Sequence, residues 1–160
     1  MILGLSLVQF TYLHVFMSLI GIGAGIFVIF GLLTSRRLSI LTSLFLITTV
    51  GTSLTAFLFP VKDTPGIVLG ILSMIALIVA IIALYVRKLA GAWRGIYVVS
   101  ACLAFYFNFF VLVAQGFDKV PALHSIAPSQ HSPGFAITQL AVLLIFILLT
   151  ARAVKKFHPE

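Results

Sequence analysis

Five long apolar runs, separated by short polar or basic connections, set the pattern of this chain. The first extends from Met1 to Thr34 and is closed by Ser35, Arg36 and Arg37. A helix needs about 20 residues to cross a bilayer core, so this run exceeds one crossing and predicts a helix over 8–33. The second helix is expected over 38–59, ended by Phe59-Pro60. Proline cannot donate to the helical ladder and biases the residue before it away from helix. A short turn from Val61 to Pro65 leads to a third helix over 66–86, closed by Arg87 and Lys88. The next connection carries Trp93, a residue type that anchors at membrane interfaces. Helices over 95–115 and 134–151 complete the set. The outer loop, 116–133, is the one connection long enough to have side-chain chemistry of its own. Within it Pro121 favours the first position of a short helical turn, which Ile126-Ala127-Pro128 ends. The expected fold is therefore an all-α membrane protein, with five transmembrane helices in a compact bundle and one domain over 1–160.

Composition agrees with that pattern. Hydrophobic residues make up 62% of the chain and charged residues 8%, against roughly 25% charged in a soluble domain. The ten Lys and Arg sit in the connections. Arg36, Arg37, Arg87, Lys88, Arg94, Arg152, Lys155 and Lys156 fall on one side of the five crossings, and Lys62 and Lys119 on the other, each beside an aspartate. Cytoplasmic loops collect Lys and Arg, so the N-terminus is expected outside, the C-terminus in the cytoplasm, and loop 116–133 facing outward. The same distribution explains the net charge of +7 without nucleic acid. The first residues carry no positive stretch and no small-residue cleavage pattern, and read as a retained first helix. The single cysteine, Cys102, lies in an apolar run; it reads as a packing residue and excludes thiol redox chemistry that needs a Cys-x-x-Cys pair.

Because lipid tails are as apolar as the helices, close packing of small residues must hold such a bundle together. Gly21 and Gly25 form a G-x-x-x-G spacing in the first helix. Gly66 and Gly70 repeat it in the third, continued by Ser73, and Thr48, Thr52 and Thr55 share a face of the second. All three are expected at helix seams.

The outward half is also where polar residues gather: Gln9, His14, Thr52, Ser53, Thr55, Asn108, Gln115, Thr138 and Gln139. His14, Ser18, Gly21 and Gly25 share one helical face, and Asn108 and Gln115, seven apart, share another. Bringing these faces together predicts an outward polar pocket capped by His124 and His131 of the loop. Its candidate ligand-binding residues are His14, Asn108, Gln115, His124 and Tyr106. The competing expectation is purely structural, since polar groups in hydrocarbon must satisfy one another whatever the function.

Several chemistries are bounded by what the helices carry. They contain no carboxylate, lysine or arginine at depth, which disfavours an ion-coupled transporter, and no nucleotide-binding or catalytic constellation. Haem would need His14 opposite His124 or His131, with the loop folded back, and no covalent attachment motif is present. A quinone head group could use His14, Asn108 and Tyr106 beside Phe105, Phe107, Phe109 and Phe110. A metal at His124 and His131 lacks a third ligand. The sequence thus reads as a non-enzymatic membrane protein binding a small or lipidic ligand, or a partner subunit, on its outward half. The alternatives are a small permease or channel for a neutral solute and a haem or quinone redox protein. Beyond the lipid bilayer, the partners left open are a second copy of the chain or another membrane subunit.

From Leu89 to Pro128 the wording LAGAWRGIYVVSACLAFYFNFFVLVAQGFDKVPALHSIAP, with SLTAFLFP near the end of the second helix, resembles a widespread group of small bacterial inner-membrane proteins of uncharacterised function. The string FVLV-Q-F-KVPALH-AP carries most of the resemblance. It implies a bacterial inner-membrane location and transfers no site residue.

Overall fold

A tight turn opens the chain. Ile2 and Leu5 exchange backbone hydrogen bonds of 2.9 and 3.0 Å across Leu3 and Gly4, both in the left-handed region. Ser6 then caps α1 (Leu7–Leu33) in a capping box. Its hydroxyl accepts from the Gln9 amide at 3.3 Å, and the Gln9 side chain accepts from the Ser6 amide at 3.0 Å. Two orphan helix donors are satisfied in this way, so Gln9, expected among the polar groups of the outward half, serves the helix end. The computed structural model describes residues 2–60 and 64–159; Lys62 and Asp63, expected in the second connection, lie outside the described residues.

Four further long helices follow: α2 (Ser39–Ala56), α3 (Thr64–Ile81), α4 (Trp93–Lys119) and α6 (Pro133–Lys156), with a short α5 (Pro121–Ile126) between the last two. Among the described residues, five helices are long and apolar enough to span a membrane. Three differences from the sequence pattern concern the ends. Helix α2 stops before Phe57, short of the expected 59. Helices α4 and α6 run past 115 and 151 into polar residues, where the backbone ladder continues although the hydrophobic pattern has ended. Helix α3 passes into a five-residue π-helical segment, Ile82–Val86, closed by Arg87 N–H donating to the Ile82 carbonyl at 2.9 Å. No composition signal announced this wider turn. A sharp corner follows it, with Lys88 and Leu89 at φ of 50° and 61°.

The helices pack as an antiparallel set. α1 lies on α2, α2 on α3, α3 on α4, and α4 on α6, while α1 also meets α6 and α4. Phe45, Leu77, Val98, Ala101, Ala104 and Phe105 fill the centre. A smaller cluster of Phe117, Ala127 and Phe135 lies under α5. Large apolar side chains such as Ile47, Ile137 and Leu148 stand exposed on the outside, as a lipid-facing surface requires. Of the five long helices α6 is the most peripheral, burying only Phe135, Gln139, Phe146 and Ala153.

Glycines explain the closest approaches. A Cβ on Gly25 would lie 2.6 Å from the Phe105 ring, so the α4 aromatic rests directly on the α1 backbone. Gly21 is as tightly met: a Cβ there would come within 3.0 Å of the Thr48 and Thr49 hydroxyls. Gly70 touches the Phe57 ring, whereas nothing among the described residues lies within 4 Å of a Cβ at Gly66.

The connectivity segregates charge. Arg36, Arg37, Arg87, Lys88, Arg94, Arg152, Lys155 and Lys156 all lie at the end where α1, α3 and α6 finish and α2 and α4 begin. The chain after α6 closes this end: His158 N–H donates to Ser35 Oγ at 2.8 Å, and the buried Phe157 ring packs 5.9 Å from Tyr97. The α5 end holds Asp118 and Lys119, which form the one ion pair among the described residues, an exposed contact of 2.7 Å.

Candidate functional site

His14 projects from α1 toward the end of α2. Its Nδ1 lies 2.8 Å from Thr55 Oγ1, and its ring meets Phe59 edge-on at 5.2 Å. The hydroxyl of Thr55 also lies 2.8 Å from the Gly51 carbonyl and 3.0 Å from that of Thr52. A hydroxyl has one proton, which Thr55 can give either to a carbonyl of its own helix, accepting from His14 Nδ1–H, or to Nδ1 itself. In either arrangement Nε2 has no hydrogen-bond partner among the described residues. His14 is half-buried, so this nitrogen is not fully dissolved in solvent.

One turn deeper, Ser18 Oγ donates to Asn108 Oδ1 at 2.9 Å, joining α1 to α4. Asn108 is buried, and its Nδ2 has no hydrogen-bond partner among the described residues. The same holds for the hydroxyl of Thr49, which is wholly buried on α2. Both atoms border Gly21, the Nδ2 at 3.4 Å and the hydroxyl at 3.0 Å from its Cβ position. Each unsatisfied buried group costs about 1–3 kcal/mol, and a polar guest would recover part of it.

The expected single pocket is not what these residues form. Thr48, Thr52, Thr55 and Thr138 bond carbonyls of their own helices, and Gln139 Nε2 donates to the Phe110 carbonyl at 3.1 Å. Gln115 is exposed although Asn108 is buried, so the shared face does not bring the two together. Tyr106 packs on Phe107, Phe110 and Phe146, with ring centroids 5.7, 6.2 and 5.4 Å away, on the α6 side and apart from His14. His124 is held on α5 by donating Nδ1–H to the Phe117 carbonyl at 3.2 Å. With Phe117, Ala127, Pro128, Gln130 and Phe135 it lines a separate cavity of about 90 Å³. His131 is exposed. Apart from Ser53, which donates to Ser73 of α3 at 3.2 Å, the polar groups thus divide into three places: His14 with Thr55, Ser18 with Asn108 and Thr49, and the His124 cavity. Ser18 and Thr49 differ little in sequence from their neighbours. Only the identity of the facing helix separates them.

Among the described residues no group of three His, Cys, Asp or Glu could hold a metal ion. The two imidazoles a haem would need are bound to different helices, His14 to α2 and His124 to α4. Cys102 is buried in the central core.

Fold and composition define a multi-pass α-helical membrane protein. Comparison with protein-family models, curated proteins and solved structures gave no match to the chain, so its function has to be argued from its own residues.

Proposed function

We propose that this is a non-enzymatic bacterial inner-membrane protein that binds a small or lipidic ligand on its outward-facing half, at His14. The observation that carries the reading is the unpartnered Nε2 of His14. With Nδ1 committed to Thr55 at 2.8 Å, Nε2 is an unclaimed hydrogen-bonding group in a half-buried place beside Phe59. It would take an amphipathic molecule with a hydrogen-bonding head group. The unsatisfied Thr49 and Asn108 groups one to two turns below support a polar guest in the same seam.

His14→Leu and His14→Gln test this on protein purified in mild detergent, with bound small molecules extracted and identified by mass spectrometry. His14→Leu is expected to lose the co-purified molecule while melting cooperatively. His14→Gln, which can still accept a hydrogen bond, is expected to retain part of it. A His14→Leu protein as fully loaded as wild type would refute the site.

The orientation rests on the eight-to-two division of Lys and Arg, which the positive-inside tendency translates into a cytoplasmic basic end and an outward α5. Gln130 is exposed beyond α5. Gln130→Cys in a Cys102→Ala background should react with a membrane-impermeant maleimide in intact cells. Labelling only after lysis would reverse the orientation and with it the outward reading of His14. The permease reading is less well supported, because Phe45, Leu77, Val98 and Phe105 fill the centre that a solute would cross. A partner subunit, or a second copy, would instead have to use the exposed apolar faces of the helices.

A further inference from the structure

A cavity of about 80 Å³ opens at the basic end, independent of the His14 site. It lies between the end of α1, the start of α2, the π-helical segment and the start of α4, and the Phe157 ring walls it from the tail side. We infer that it is a phosphate-recognition site for the head group of an anionic membrane lipid.

Four observations converge on that chemistry. Arg36 and Arg37 both line the cavity, and guanidinium groups bind phosphate through paired, charge-assisted hydrogen bonds. The first turn of α2 borders it through Ser39, and that helix has no side-chain cap on its N-terminal amides. Ser43 and Tyr85 add a hydroxyl pair 3.1 Å apart at its side. Thr42 and Tyr97, which are only 7% and 3% exposed, set two more hydroxyl-bearing residues side by side in its lining. The π-helical segment is what supplies Tyr85 and Leu84 to the wall, and single-turn π segments are frequent at functional sites.

The charge balance favours an anion strongly. Among the described residues, eight Lys and Arg and no Asp or Glu lie near this end. Basic pockets between helices at the cytoplasmic side commonly take lipid head groups. A lipid is favoured over free phosphate because Ile40 and Val86, next in sequence to the lining residues Ser39 and Tyr85, stand exposed beside the cavity, an apolar surround that suits a phosphodiester with its glycerol and chains attached.

Native mass spectrometry of the detergent-purified protein, titrated with phosphatidylglycerol or phosphatidylcholine of the same acyl chains, tests the assignment. Wild type should bind phosphatidylglycerol at least about tenfold more tightly, and R36Q/R37Q should lose about tenfold or more, given the strength of charged hydrogen bonds. The control R152Q/K155Q removes the same charge from exposed positions of the same end; screening over about 8 Å should keep its effect within about threefold. Equal losses in the two double variants, or no preference between the lipids, would show only a diffuse positive field and overturn the site. Should R36Q/R37Q fail to insert, S43A/Y85F removes two hydroxyl groups while keeping both arginines, and should still weaken binding by about threefold or more. An unchanged affinity there would likewise count against the cavity. A competition arm with inorganic phosphate identifies the source: displacement of the lipid at millimolar phosphate assigns the cavity to the free anion, and resistance assigns it to the head group.

Discussion

Phe105→Ala should be the most damaging single truncation in this protein, costing about 3–5 kcal/mol on the scale of buried aromatic deletions. The ring lies at the meeting point of four helices. It rests on the Gly25 backbone of α1 and meets Phe45 of α2 at 6.1 Å, Phe109 at 6.1 Å and Phe146 of α6 at 5.3 Å. In lipid no solvent-exclusion term compensates for lost contacts between helices, so the cavity would be felt directly. Phe107→Ala is the matched control, since that half-buried ring pairs only with Tyr106 among the aromatic contacts. Unfolding in mixed detergent micelles should separate the two variants widely. Equal destabilisation would mean that the aromatic cluster is not the centre of the fold.

Gly25→Leu is expected to be the most damaging enlargement. A Cβ alone would approach the Phe105 ring to 2.6 and 2.7 Å, so a whole isobutyl group must push α1 and α4 apart. Overpacking of this kind typically costs about 1–3 kcal/mol. Gly23→Leu, two residues away on a face with nothing within 4 Å, should leave the melt unchanged. The cause can be isolated: Gly25→Ala should be harmful alone and much less so in a Phe105→Leu background, because the two residues share one contact and their effects cannot add. An additive result would place the strain elsewhere.

The membrane-spanning helices were legible because hydrocarbon imposes a length and an apolarity that few other structures satisfy. The interior of the bundle was far less legible, for a reason specific to membranes. Lipid-facing and protein-facing positions are equally apolar, so periodicity cannot tell them apart. Gly66 and Gly70 repeat the spacing of Gly21 and Gly25, yet among the described residues only Gly70 of that pair meets a neighbour. Thr48, Thr52 and Thr55 lie at a seam as expected, but their hydroxyls also bond carbonyls of their own helix, which spacing does not reveal. Thr49, which carries an unsatisfied hydroxyl in the seam, looked like one more threonine. At the candidate site His14 and Asn108 were found from composition alone, since they are rare types at depth. Their partners, Thr55 and Ser18, depended on how helices from distant parts of the chain meet. The basic-end cavity escaped notice because arginines in a connection look like topology signals, and nothing in IALYV marks a π-helical turn.

The bond between Ser35 and His158 spans 123 residues of chain, and that separation has a consequence for synthesis. Helices α1 and α2 are neighbours in sequence and can pair as soon as both have left the ribosome and entered the bilayer. The face of α1 bearing Ser18 and Gly25 must then wait for Asn108 and Phe105 of α4, and Ser35, just beyond α1, must wait for His158. Until then α1 has α2 alone as a neighbour, and its small-residue face stays open on the side that α4 will cover.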